Sequence, residues 1–149
     1  MKSPRVFIDA SVLIAAVLGK TGASRVLFEL AKKHYLEIIL TSEIIQEAKQ
    51  SLARKYGQDE VQALCRILND RKQAVRPALS NTDLDKFDSL IADPADRHVL
   101  AGAQKYRAEY LVTLDRKHFF TRKLFHARLN FQIMLPGDFL REFRQNISK

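Results

Sequence analysis

The sequence predicts an α/β chain, a three-layer α/β/α sandwich around a central parallel β-sheet. Three observations carry that expectation. Short apolar runs alternate with segments of helical periodicity along the chain, the pattern of repeated βαβ units. Two of the runs, RVFI and EYLVTL, stop at an aspartate, Asp9 and Asp115. No repeat, low-complexity tract or long linker divides the 149 residues, so a single domain over 1–149 is expected.

The elements follow in order. Residues 5–8 read as a short buried strand, 11–18 as a helical run, and Gly19 and Gly22 bracket a break. A second helix over 24–33 sets Val26, Leu27 and Leu30 on one face. EIILTS is a second strand, with Ser42 the expected cap of the next helix. That helix, 43–55, carries Ile44, Ile45, Ala48 and Leu52 as its stripe and ends at Tyr56-Gly57. Residues 58–69 repeat helical spacing through Val61, Leu64, Cys65 and Leu68. Pro77 and Asn81 mark 72–82 as an extended piece and a turn, and 84–90 is weakly periodic. Asp93-Pro94 opens a helix running to 107, with Asp as cap and Pro at the first helical position. EYLVTL is a strand, 116–128 a basic mixture of helix and loop, NFQIML the last strand, and 136–146 a terminal helix.

Composition narrows the function classes. Hydrophobic residues make up 46% and charged residues 28% of the chain, an ordinary globular balance. No apolar run nears the roughly 20 residues of a membrane helix, and MKSPRVFIDAS lacks a secretory signal, so a cytoplasmic location is expected. The single cysteine, Cys65, excludes an intrachain disulfide, and its apolar neighbours predict a buried structural thiol. Lys and Arg number 25 against 17 Asp and Glu, a formal charge of +8. That favours a polyanionic partner, nucleic acid ahead of membrane. A merely solubilising surface is the plain alternative.

Against that basic background, four acids fall at the ends of elements: Asp9, Glu47, Asp96 and Asp115. Parallel sheets bind ligands beyond the carboxyl ends of their strands, where strand order switches. Asp9 and Asp115 both follow strands. Val99, Leu100 and Ala103 stand at i+3, i+4 and i+7 from Asp96 and place it on a buried helix face. Glu47 borders an apolar stripe one turn from Ile44. Each acid also has an ordinary reading: Asp9, Asp93 and Asp115 as helix caps, Asp96 beside a helix dipole, and Glu47 solvated. Gathered at one edge, the four would need a cation. An all-oxygen cluster suits Mg2+, or Mn2+ as its substitute. Two such ions can hold the attacking and leaving oxygens of a phosphoryl displacement, with no serine or cysteine nucleophile.

Neighbouring residues fit phosphodiester chemistry. Ser11 and Thr113 stand two residues from Asp9 and Asp115 and can bond a carboxylate or a phosphate, or serve as cap and strand former. The pattern requires no histidine. His98, two residues after Asp96, points away from it, and His34, His118 and His126 read as surface or nucleic-acid-contacting groups. The run RKHFFTRKLFHAR interleaves Arg116, Lys117, Arg122, Lys123 and Arg128 with Phe119, Phe120 and Phe125. Cations track a phosphate backbone, and an exposed aromatic can stack on an unpaired base, although phenylalanines are more often core.

FIDASVLIAA, SEIIQEAKQSL, DPADRHVLAGAQKYRAEYLVTLDRKHF and LPGDFL together resemble the motifs of the PIN-domain family of metal-dependent ribonucleases. The resemblance implies Asp9, Glu47 in place of Glu43, Asp96 and Asp115 as metal-holding catalytic residues, with Asp93 a near neighbour. It implies a central parallel sheet and magnesium-dependent hydrolysis of RNA. It also implies the toxin role of VapBC-type pairs, with a small antitoxin partner and a homodimer. Members often carry a further acid shortly after the fourth Asp, whereas Lys117 and His118 stand here.

Two other readings compete. A non-catalytic RNA-binding module of the same fold would use 116–128 without a metal. A haloacid-type phosphatase built on Asp9 would require Asp at position 11, where Ser11 stands.

Overall fold

The computed structural model describes residues 3–19, 21–70 and 73–148. The expected start of the extended piece at 72 lies outside the described residues. The strands β1 (Arg5–Ile8), β2 (Glu37–Thr41), β3 (Gln73–Arg76), β4 (Tyr110–Val112) and β5 (Gln132–Met134) form one sheet. Their order is β3-β2-β1-β4-β5 and every pairing is parallel. Val6, Phe7, Ile8, Ile38, Ile39, Leu40, Leu111 and Val112 are buried. Successive side chains point to opposite faces, so such runs require helices on both sides.

Those layers come from α1 (Ala10–Leu18), α2 (Ala23–Lys32), α3 (Ser42–Lys55), α4 (Gln58–Asp70), α5 (Asn81–Asp85), α6 (Arg97–Lys105) and α9 (Pro136–Ile147). The short helices α7 (Arg116–Phe119) and α8 (Arg122–His126) occupy the basic segment. α1, α3 and α4 pack on one another, while α6 packs on β1, β4 and α5. Right-handed crossovers put the two groups on opposite faces once the chain reverses direction across the sheet. Among the described residues, no single helix is long and apolar enough to cross a membrane.

Local chemistry moved several boundaries. Thr41, not Ser42, caps α3: its Oγ1 accepts from the Ile44 N–H at 3.2 Å. Ser80 caps α5 and gives the weakly periodic stretch its helical turn. Asp93 caps as expected, its Oδ1 accepting from the Ala95 N–H at 3.0 Å. The helix it opens is not continuous, because Pro94–Asp96 is a 3-10 turn and α6 starts only at Arg97. Cys65 is half-buried, short of the burial expected. Its helix presses Leu64 and Ile67 inward instead.

Gly102 lets α6 sit close on the sheet. A Cβ there would fall 2.5 Å from Phe7 Cζ and 2.9 Å from Cε2, and Phe7 is wholly buried. The ring has nowhere to retreat. Gly102→Ala is therefore expected to destabilise the chain by about 1–3 kcal/mol, the usual cost of overpacking. Urea unfolding measures it, and adding Phe7→Leu should recover part of the loss by making room.

Candidate metal and active site

Strand order places the site. The chain runs from β1 through β2 to β3 on one side and then returns to lay β4 on the other side of β1. The switch between β1 and β4 opens a crevice beyond their carboxyl ends. Ile8 pairs with Val112 in that register, so the next residues, Asp9 and Thr113, meet across it.

Asp9 is 5% exposed. Its Oδ1 accepts from Ser11 Oγ at 2.5 Å and from the Val12 N–H at 3.3 Å. Its Oδ2 accepts from Thr113 Oγ1 at 2.5 Å. The same hydroxyls are held in turn: Ser11 Oγ accepts from the Leu114 N–H, and Thr113 Oγ1 from the Asp115 N–H, both at 3.0 Å. The post-strand loops are thus tied together through one carboxylate. Burial pushes the Asp9 carboxyl above its ordinary value, the hydrogen bonds pull the other way, and the Asp115 charge adds to the rise.

Asp115 caps α7, its Oδ1 accepting from the His118 N–H at 3.1 Å. Its Oδ2 lies 2.8 Å from His118 Nδ1, and that nitrogen lies 3.6 Å from Asp96 Oδ2. The hydrogen bond to Asp115 raises the His118 pKa, helped by the charges of Asp115, Asp96 and Asp93. Asp96 is pushed up to about 6 by burial, with Asp93 and Asp115 adding to the rise and His118 and His98 opposing it. On the far side, His98 is buried and its Nε2 lies 2.7 Å from Glu47 Oε1 and 3.9 Å from Glu43 Oε2. Burial pulls the His98 pKa down, but the Glu47 hydrogen bond and the charges of Glu47, Glu43 and Asp96 raise it overall.

Asp9, Asp96 and Asp115 are thus electrostatic neighbours at one edge, and Glu47 reaches them through His98. Asp93 adjoins Asp96, while Ser11 and Thr113 brace Asp9. Arg116, Lys117, Arg122 and Lys123 are exposed. Two histidines belong to the cluster, although the acid pattern called for none. His118 joins because α7 folds it back onto its own cap. His98 joins Glu47 rather than Asp96, and Asp96 sits in the 3-10 turn, where α-helical angular spacing does not reach. Glu43 also faces His98; its signal was the i, i+4 spacing to Glu47 on one helix.

Among the described residues two groups of donors could hold a divalent cation, each with a histidine and neither including Asp9 or Asp115. The ligand atoms of Asp93, Asp96 and His118 lie within 4.8 Å of one another, as do those of Glu43, Glu47 and His98. A cation there would favour the ionised form of Asp96 against the burial that chiefly raises it and the charges of Asp93 and Asp115 that add to the rise.

The PIN domain model matches residues 5–117, from the start of β1 to two residues beyond Asp115. The chain belongs to the PIN-domain family. Solved structures similar in fold to this PIN domain include VapC20 of Mycobacterium tuberculosis, described as a toxin that cleaves the sarcin-ricin loop. It is 15% identical with a TM-score of 0.57, covering 75% of this chain and 91% of its own. VapBC2 of Rickettsia felis, bound to a DNA fragment from its promoter, is 15% identical with a TM-score of 0.61, over 88% and 98%. PAE2754 of Pyrobaculum aerophilum is 16% identical with a TM-score of 0.65, over 97% and 94%. No curated protein sequence matches this PIN domain.

Proposed function

We propose that this PIN domain is a divalent-metal-dependent endoribonuclease, the toxin of a toxin–antitoxin pair, using Mg2+ with Mn2+ as substitute. The observation that carries the reading is the hydroxyl-braced Asp9 at the sheet's switch point, beside Asp115 and an Asp96 pushed up to about 6. One buried and two half-buried acids side by side in a chain of formal charge +8 are what a cation-assisted site for a polyanion requires. The toxin role rests on the fold shared with VapC20 and with VapBC assemblies, and a small antitoxin is the partner it entails.

In this reading Asp9, Glu47, Asp96 and Asp115 hold the metal, which when bound lowers the pKa of water and screens the charge that develops on the cleaved phosphate. Ser11 and Thr113 fix the Asp9 oxygens, so the carboxylate needs no reorientation when the ion arrives. Asp93 adds negative charge and holds the 3-10 turn that presents Asp96. Arg116, Lys117, Arg122 and Lys123 hold the RNA backbone against the acidic edge.

The test is cleavage of an end-labelled structured RNA in Mg2+, Mn2+ or EDTA. Products are expected with either ion and none with chelator. Salt-sensitive binding without cleavage in either ion would favour the binding-module reading, in which His118 holds Asp115 and Asp96 permanently.

A further inference from the structure

We propose that the surface around Phe120 and Phe125 is a stacking site for an unpaired base of single-stranded RNA. It rests on the nuclease reading only in taking RNA as the polyanion. Phe119 is anchored in the core, but Phe120 is 41% and Phe125 84% exposed. Leaving a phenylalanine in water forgoes the stabilisation that burying it would bring. The His126 ring packs against Phe125 at 82°, with centroids 5.3 Å apart, which restrains the ring without covering it.

Beside these rings lies an open groove of about 820 Å³, lined by Phe119, Phe120, Leu124, Phe125, Phe131 and Ile133 among others. That size falls within the range of ligand clefts. The charges around it name the occupant. Arg122 lines the groove, Lys123 and Arg128 adjoin residues that line it, all three are exposed, and none forms an ion pair among the described residues. Elsewhere Arg97, Lys105 and Arg141 each have an aspartate partner. An apolar helix from another protein would fill the groove but leave that cationic rim unanswered. A nucleotide answers both, its base offering a face to phenylalanine and its phosphates meeting the cations. The groove runs from Phe119, four residues past Asp115 in the chain, along α8 to Gln132 and Ile133 of β5. Duplex RNA hides its base faces, which selects single strands or loops.

The chain contains no tryptophan, so Phe125→Trp supplies a lone reporter. Binding of a fluorescein-labelled, mixed-sequence single-stranded 12-nucleotide RNA is read by anisotropy in EDTA, where cleavage plays no part. Phe125→Ala is expected to weaken binding by about 5- to 100-fold, the usual worth of one stacked base. Phe125→Trp should bind like the parent, and its emission should be quenched by the RNA but not by inorganic polyphosphate. Unchanged affinity of Phe125→Ala overturns the proposal, as does an unquenched tryptophan at saturation. If sedimentation shows that Phe125→Ala splits a dimer while RNA affinity holds, the face joins two copies and the proposal falls. Because no metal is present, either result leaves the nuclease reading to its own test.

Discussion

Asp9→Asn is expected to lower metal-dependent RNA cleavage by at least about a thousandfold, equivalent to about 4 kcal/mol of transition-state stabilisation. The substitution keeps the shape of the side chain and removes its charge. Asparagine also caps helices well, so the Val12 N–H keeps an acceptor. The ionised carboxylate is the costly species here, since burial and Asp115 both raise the Asp9 pKa. The variant should therefore melt at or above the parent temperature while losing activity. Circular dichroism and an RNA cleavage assay read the two effects separately. Cleavage at the parent rate by rigorously purified variant would remove Asp9 from the chemistry.

The second large effect concerns pH and metal together. The Asp96 carboxyl titrates at about 6 in the fold against an ordinary 3.8, so the native state holds its proton more tightly than the unfolded chain does. A group raised in this way contributes stability that is fully present below pH 4 and lost as pH rises through 6. His98 and His118, also raised, extend the loss above 6.5 with the same sign. For Asp96, discounted for its partial exposure, the change is about 1–2 kcal/mol. That corresponds to roughly 3–7 °C in melting temperature. In EDTA the melting temperature is expected to fall between pH 4 and 7. Mn2+ or Mg2+ should restore it at pH 7 and do little at pH 4.5, where the site already holds protons. Asp96→Asn should flatten the EDTA profile. A pH-independent melting temperature in the parent chain would show that the fold does not raise the Asp96 carboxyl.

Much of this edge was legible in the chain. Asp9 directly follows β1, and a run buried on both faces is a strand whose successor must project past the sheet; β4 stops earlier than expected, at Val112, so Thr113 takes that place and Asp115 stands two residues further on as the cap of α7. Asp93-Pro94 announced its cap through residue chemistry alone. Other features depend on contacts between distant segments. Asp96 comes within 3.6 Å of His118 only once the fold brings in a segment about twenty residues away. His98 gained its role only when α3 brought Glu43 and Glu47 against it. Cys65 lies on an apolar stripe, but helical spacing alone does not say how deeply each residue of a stripe is pressed. Thr41 and Ser42 are both good caps, and the end of β2 decided between them.

The hydrogen bonds on Asp9 carry a stoichiometric consequence. A carboxylate offers four lone-pair positions, and Ser11, Val12 and Thr113 occupy three of them. Among the described residues the fourth position, on Oδ2, has no hydrogen-bond donor. Asp9 can therefore grip an ion with a single oxygen and cannot chelate it, so tight coordination calls for further donors from elsewhere in the chain.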